Sequence, residues 1–199
     1  AFLIVVSMAP IVSHATGTIL VMGDSLSAAY GIDKQSGWVA LLQQRLQQQS
    51  FGYQVVNASI SGDTTRGGLS RLPAALRRES PAVLVLALGA NDGLRGFSPE
   101  NTRDNLRQMI EQARNAGASV LLLGIKLPAN YGSVYGEKFH RVYLDLANEE
   151  EVHLVPFFLE GVAETRELMQ ADGIHPGVQA QPRILDNVWA GLAPLLNER

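Results

Sequence analysis

A serine that follows a predicted buried strand is the residue of this sequence best placed to act as a nucleophile. Ser25 comes directly after the apolar run at residues 19–22 and a Gly-Asp pair, a pattern typical of a strand that ends in a turn. Open α/β sheets carry their reactive groups at this carboxyl end of the strands. A serine hydroxyl attacks a carbonyl carbon only when a base takes its proton and donors stabilise the oxyanion. The rest of the sequence must therefore supply both.

Histidine is the side chain best suited to act as that base near neutral pH, and the chain contains four. His14 lies in the apolar N-terminal segment, His140 lies off the apolar face of a predicted helix, and His153 lies within a predicted strand. His175 differs, because Asp172 precedes it by three residues in a polar loop and could orient the imidazole. The same spacing also occurs in an Asx-turn beside a surface histidine, so the pair gains weight only together with the serine.

Two further loops could supply the oxyanion donors. Gly62 and Asn91 each follow a predicted strand, and backbone amides near glycine and asparagine side chains are common donors to an oxyanion. Asp63 and Asp92 come next in the two loops. Because Gly, Asn and Asp are also favoured in turns for backbone reasons alone, turn formation stays open as the alternative explanation for both loops.

Alternating apolar and amphipathic segments predict the elements that position these residues. Strands are predicted at residues 19–22, 54–58, 82–88, 119–124 and 152–156, and helices at 36–49, 69–78, 99–116, around 139–146 and at 184–195. Pro73 predicts a break or a fresh start in the second helix. Strands that alternate with helices form right-handed βαβ units. We therefore predict an α/β fold, a three-layer α/β/α domain around a five-stranded parallel sheet.

Composition limits the remaining possibilities. The 199 residues are 46% hydrophobic, enough for one substantial core, and no linker or repeat marks a second domain. A net charge of −3 from scattered charged residues argues against a nucleic-acid partner. The chain has no cysteine, which excludes disulfides, thiolate catalysis and cysteine-bound zinc.

The N-terminal residues 1–15 are interpreted as the apolar part of a signal peptide. They carry no formal charge, and Ser13 and Ala15 place small residues where a signal peptidase cleaves. We expect cleavage after Ala15, a single domain over residues 16–199 and a periplasmic or secreted protein. A buried first strand or helix is the alternative.

Four short motifs occur in a fixed order along the chain. They are Gly-Asp-Ser-Leu at residues 23–26, Ser-Gly-Asp at 61–63, Gly-x-Asn-Asp at 89–92 and Asp-x-x-His-Pro at 172–176. In these motifs the sequence resembles the SGNH (GDSL) hydrolases, except that Ala90 stands where many members have a second glycine. Residues 57–64, 91–97, 127–132 and 155–158 are similar to the periplasmic Gram-negative branch of that family.

This resemblance implies a role for each matching residue. Ser25 corresponds to the nucleophile, His175 to the base and Asp172 to the residue that orients it. The amides of Ser25 and Gly62 and the side chain of Asn91 correspond to the oxyanion hole. The family also implies a flavodoxin-like sheet, a covalent acyl-enzyme, and acyl esters or thioesters as substrates, including acyl-CoA, aryl esters and lysophospholipids. We expect a monomer with no cofactor, no metal and no stable membrane anchor in the mature form.

Apolar residues concentrate in the loops at the predicted catalytic edge of the sheet. They are Leu94, Phe97, Leu127, Tyr131 and Ile174. Such a group favours a groove for an acyl chain, although single apolar loop residues also fold back over helix ends.

Three rival interpretations remain. A classical α/β-hydrolase would need a second glycine after the serine and a serine on a central strand. A flavodoxin-like nucleotide or flavin module would need a glycine-rich phosphate motif after a strand. A hard-metal site could form from five residues at one sheet edge, namely Asp24, Asp63, Asp92, Asp172 and His175, and loss of activity in chelator would reveal it.

Overall fold

The computed structural model describes residues 16–197, and its centre is a parallel sheet of five strands. The strands are β1 (Thr16–Gly23), β2 (Gly52–Asn57), β3 (Val83–Ala87), β4 (Ser119–Leu123) and β5 (His153–Val155). Their order in the sheet is β2-β1-β3-β4-β5, and all neighbours are parallel. This order is the flavodoxin-like one, and it confirms the predicted α/β architecture.

Residues 16–197 contain six α-helices, of which five pack on the faces of the sheet, while the short third helix follows the end of β3. They are α1 (Trp38–Gln48), α2 (Thr65–Glu79), α3 (Ala90–Leu94), α4 (Pro99–Asn115), α5 (Ser133–Glu149) and α6 (Gln181–Asn197). Helix α1 packs against α6, while α4 packs between α2 and α5. Each group buries an apolar stripe on the sheet, as amphipathic helices do.

The prediction of a break at Pro73 is wrong, because α2 runs through this residue without interruption. A proline inside a helix removes one hydrogen bond and crowds the preceding turn, at a cost of about 3 kcal/mol. Leu72, Ala75 and Leu76 on either side of it are buried in the core. Their packing offsets that cost, which is a tertiary effect that a local pattern does not contain.

The neighbouring strands β1 and β3 determine where the functional loops begin. Residues 19–22 of β1 are fully buried, and every residue of β3 is buried as well. Gly23 at the end of β1 pairs in register with Ala87 at the end of β3. The loops that carry Ser25 and Asn91 therefore start side by side at the same sheet edge.

The predicted signal peptide, residues 1–15, lies outside the described residues. Within residues 16–197 no helix has both the length and the apolar character needed to cross a bilayer.

Candidate active site

Ser25, His175 and Asp172 form a continuous chain of hydrogen bonds. Ser25 Oγ lies 3.0 Å from Nε2 of His175, and Nδ1 of the same ring lies 2.7 Å from Oδ2 of Asp172. The other carboxylate oxygen of Asp172 accepts the backbone N–H of His175 at 3.0 Å and that of Ile174 at 2.9 Å. These hydrogen bonds, led by those from His175, lower the pKa of Asp172 to about 2, because they stabilise its charged form.

Asp172 and His175 lie at the tip of a short hairpin. The N–H of Gln170 donates to the carbonyl of His175 at 2.7 Å, and the N–H of Gly177 donates to the carbonyl of Leu168 at 2.7 Å. An antiparallel bridge joins Met169 and Pro176 between them. The hairpin closes the loop, so that an acid and a histidine three residues apart face each other across it.

Asn91 and Asp24 meet at the ends of β3 and β1. Nδ2 of Asn91 donates to Oδ2 of Asp24 at 3.3 Å, and the N–H of Leu26 donates to Oδ1 of Asp24 at 3.0 Å. Asp24 is 1% exposed, and its burial raises the pKa of this carboxyl to about 7 against the lowering effect of those two hydrogen bonds. The buried carboxyl thus holds one amide hydrogen of Asn91 and fixes the side chain next to Ser25.

The backbone N–H groups of Ser25 and Gly62 are free to donate. Among the described residues, no protein group accepts a hydrogen bond from the N–H of Ser25 or of Gly62. With the side chain of Asn91, these are the three donors that the sequence predicts for an oxyanion, and such donors act best when no other acceptor competes for them.

A left-handed glycine begins the turn that carries Asn91. Gly89 has φ of 116°, and a Cβ at this position would lie 2.0 Å from Oη of Tyr143. That hydroxyl donates to the carbonyl of Leu88 at 3.0 Å, so the fully buried Tyr143 fills the space beneath the turn. Only glycine fits here, and the chain then enters α3, which the sequence predicts as a loop.

Asp92 joins the loop of Asn91 to the loop of Gly62, a role that sequence reasoning missed. Its carboxylate accepts the N–H of Thr65 at 2.9 Å and the hydroxyl of Thr65 at 2.5 Å. Nδ2 of Asn105 donates to the same hydroxyl at 2.9 Å. The charge lies at the N-terminus of α2, where the helix dipole favours an anion. An Asp that follows an Asn in a loop is the only signal in the sequence, and it is equally typical of a turn.

Arg71 on α2 joins the ends of β1 and β2. Its guanidinium donates to the carboxylate of Asp63 at 2.7 Å, to the carbonyl of Gly23 at 3.4 Å and to the carbonyl of Ala58. The planar donors of arginine suit such a divided set of acceptors. Together with Asp92, this residue fixes the loop that presents Gly62.

An apolar cavity of about 530 Å³ opens beside Ser25, Asn91 and His175. Of the five residues predicted to form an acyl groove, Leu94, Leu127 and Ile174 line it. Phe97 and Tyr131 are not among its lining residues. The carbonyl of Phe97 accepts a hydrogen bond from Tyr135 at 2.7 Å.

Much of the cavity wall comes from residues that sequence reasoning missed. These are Leu26, Ile125, Phe157, Leu159 and Met169. The apolar stretch after the fifth strand was the available signal for two of them. Phe157 and Leu159 are both buried, so in the sequence they are indistinguishable from ordinary core residues.

The structure does not group the acids of the rival metal-site interpretation. No three His, Cys, Asp or Glu side chains in residues 16–197 are grouped closely enough to hold a metal ion. These acids have separate partners, among them Arg71 for Asp63 and Thr65 for Asp92. Nδ1 of His140 lies 3.1 Å from the carbonyl of Ile125, and His140 is not among the residues that line the cavity beside Ser25.

The sheet is a doubly wound α/β sheet, and at its carboxyl edge a serine, a histidine and an aspartate are linked next to an apolar cavity. This combination defines the class of serine hydrolases with a flavodoxin-like fold. The sequence profile of the GDSL-like Lipase/Acylhydrolase family matches residues 21–181. The chain belongs to this family, and it is a serine hydrolase.

Several proteins are similar to it over most of their length. Esterase TesA of Pseudomonas aeruginosa is 59% identical over 92% of this chain and 90% of its own. Thioesterase 1/protease 1/lysophospholipase L1 of Escherichia coli is 48% identical over 92% of this chain and 86% of its own. A crystal structure of TesA covers 90% of this chain and 99% of its own with a TM-score of 0.89 and 60% identity. The psychrotrophic esterase EstA from Pseudoalteromonas, inhibited by monoethylphosphonate, covers 92% and 100% with a TM-score of 0.87 and 39% identity.

Proposed function

We propose that this protein hydrolyses acyl esters and acyl thioesters through a covalent acyl-enzyme on Ser25. The observation that carries the proposal is the hydrogen-bonded chain from Ser25 Oγ to His175 and Asp172 at the mouth of an apolar cavity. A nucleophile, a base in contact with it and a group that orients the base are the parts that acyl transfer requires.

The first half of the reaction forms the acyl-enzyme. Ser25 Oγ bonds to the carbonyl carbon while Nε2 of His175 takes the serine proton, and the carbonyl π electrons move onto oxygen. The amides of Ser25 and Gly62 and the side chain of Asn91 donate to that oxyanion. When the carbonyl re-forms, the bond to the leaving oxygen or sulfur breaks, and the leaving group takes the proton from His175.

The second half releases the acid. His175 takes a proton from water, the water oxygen bonds to the acyl carbon, and the bond to Ser25 Oγ breaks as the proton returns to the serine. Asp172 stabilises the imidazolium that forms in both halves. The low pKa of its carboxyl, about 2, keeps it charged throughout the neutral range.

The apolar wall of the cavity favours the acyl chain as the part of the substrate that the protein recognises. Its wall is built mainly from aliphatic and aromatic side chains, and each methylene buried there contributes up to about 0.8 kcal/mol. The names of the relatives cover an esterase, a thioesterase and a lysophospholipase. We accordingly propose acyl-CoA, aryl esters and lysophospholipids as substrates, with tolerance of the leaving group.

We further propose that the protein is exported to the periplasm and acts there as a monomer without a cofactor or a nucleic-acid partner. The uncharged apolar stretch at residues 1–15 supports export. The net charge of −3 argues against a nucleic-acid partner, and the absence of cysteine is compatible with an oxidising compartment.

The direct test is a substrate panel of aryl esters, acyl-CoA thioesters and lysophospholipids, each with short, medium and long acyl chains. We expect turnover of all three classes and a kcat/KM that rises with acyl length until the cavity is full. Ser25→Ala is the control, and activity that this variant retained at the parent level would overturn the proposal.

A further inference from the structure

A glutamine outside the reacting groups joins the turn that follows Ser25 to the hairpin that carries His175. Nε2 of Gln170 donates to the carbonyl of Tyr30 at 2.8 Å and to the carbonyl of Pro176 at 3.0 Å. Its own N–H donates to the carbonyl of His175 at 2.7 Å. One residue therefore donates hydrogen bonds both to the turn that follows Ser25 and to the hairpin that carries His175.

The turn after the serine is shaped to receive this side chain. The N–H of Tyr30 donates to the carbonyl of Ser25 at 3.2 Å. On either side of Tyr30, Ala29 has φ of 59° and Gly31 has φ of 74°. A Cβ on Gly31 would lie 2.2 Å from Oε1 of Gln170. An alanine in the left-handed region persists only where its surroundings hold it, and such strain concentrates at functional sites.

The same turn places an aromatic ring against the base. The ring centroids of Tyr30 and His175 lie 4.4 Å apart with an interplanar angle of 37°. Tyr30 is half exposed, so it covers one face of the imidazole at the rim of the site. Its ring limits rotation of the imidazole about the bond to Cβ, while Asp172 limits it from the other nitrogen.

Ser25 and His175 need these additional contacts from Gln170 and Tyr30, because a single hydrogen bond of 3.0 Å joins the two residues, which lie 150 positions apart in the sequence. The side chain of Asp172 is 39% exposed at the hairpin tip, where water competes for its hydrogen bonds. A displacement of about 1 Å in a reacting geometry can cost about 100-fold in rate.

We propose that Gln170 is a positioning residue for the hydrolytic reaction. It holds the turn of Tyr30 and the hairpin in register, so that Nε2 of His175 stays within hydrogen-bonding distance of Ser25 Oγ through both proton transfers. This inference rests on the proposed function, since it takes Ser25 as nucleophile and His175 as base. Gln170 itself donates to carbonyl groups of the protein and does not touch the substrate.

The test replaces the carboxamide by a side chain of similar length without a donor. Gln170→Met should lower kcat for a short-chain aryl ester by about 10- to 100-fold with KM within about twofold. Gln108→Met is the matched control, because the exposed Gln108 also donates to a backbone carbonyl, that of Asp104 at 3.2 Å, and it should keep the parent kcat.

A second pair of variants tests the contribution of the Tyr30 ring that packs against His175. Tyr30→Ala removes the ring and should lower kcat with little change in KM, and Tyr30→Phe restores the ring and should restore kcat. If Gln170→Met does not fold, Gln170→Leu, whose side chain has no donor, takes its place together with the Tyr30 pair.

Two readouts separate positioning from loss of structure and from failure of the proposed function. The rate of Ser25 labelling by a fluorophosphonate should fall with kcat, and the downfield proton NMR signal of the imidazole Nδ1–H should broaden in Gln170→Met but not in Gln108→Met. Parent kcat, labelling rate and proton signal in Gln170→Met, with an inactive Ser25→Ala, would overturn the inference alone. Activity retained by Ser25→Ala would overturn the proposed function.

Discussion

Two aspartates near the serine have opposite environments and therefore different uses. Asp172, partly exposed and surrounded by N–H donors, has its pKa lowered to about 2. Asp24, buried between strand ends, has its pKa raised to about 7. A carboxylate that stays charged suits the stabilisation of an imidazolium. A buried carboxyl with two donors suits the rigid placement of Asn91.

At the residue scale, Asn91→Ala tests whether this side chain acts mainly in the transition state. Loss of one oxyanion donor costs about 2.7–4 kcal/mol, so kcat should fall by about 100- to 1000-fold while KM changes little. Steady-state kinetics on an aryl ester measure both constants, with Asn101→Ala on the exposed side of α4 as the control. A raised KM with an unchanged kcat would mean that Asn91 binds the ground state.

At the scale of elements, the sequence predicted what depends on periodicity and strand order. Parallel strands end at one edge of a sheet, so the sequence alone predicts that the loops of Ser25, Gly62 and Asn91 begin at the same edge. The path of each loop after its strand was not predictable in this way. The cavity wall at Phe157 and Leu159 depends on where the chain turns after β5, which no local pattern encodes.

The same limit explains the continuous helix at Pro73 and the short helix α3. Pro73 breaks a helix by local rules, whereas burial of its neighbours on the sheet retains the helix. Helix α3 has five residues, fewer than a periodic pattern needs to be recognised. Its start depends on Gly89 and on the buried Tyr143 beneath it, a contact between distant segments.

Leu94 and Phe97 form a matched pair for testing the acyl cavity. Leu94 lines the cavity and Phe97 does not, although both follow the Asn91 motif. Leu94→Ala should lower kcat/KM for long acyl esters by about 5- to 30-fold, from about 1–2 kcal/mol of lost burial, and should affect short esters less. Phe97→Ala should leave the ratio between long and short esters unchanged. Equal losses on both chain lengths in Leu94→Ala would remove this residue from the acyl site.

At the scale of the whole molecule, the buried Asp24 that positions Asn91 also makes the stability of the fold depend on pH. Asp24 directly follows residues 19–23 of β1, which are buried, and it shares their burial. A group whose pKa differs between the folded and unfolded states makes stability depend on pH. For a carboxyl whose folded pKa is raised, the folded state binds the proton more tightly. Its contribution to stability is complete below pH 3.8 and is lost as the pH rises to about 7.

Asp24→Asn removes this titration and should show its size. The free energy of unfolding of the parent, relative to that of the variant, should decrease from pH 4 to about 7 and then level off. Urea denaturation at a series of pH values measures this difference in unfolding free energy. The contributions of the histidines cancel, because both proteins contain them. A parent that gained stability relative to the variant over this range would contradict the raised pKa.

The central claim is that Ser25 is the nucleophile and that His175 activates it, and covalent labelling tests it most directly. The protein is treated with a fluorophosphonate, its intact mass is measured, and the modified peptide is sequenced by mass spectrometry. We predict one adduct, located on Ser25, which forms in step with the loss of esterase activity and forms far more slowly in His175→Ala. An adduct on another serine, or full activity in the labelled protein, would contradict the account.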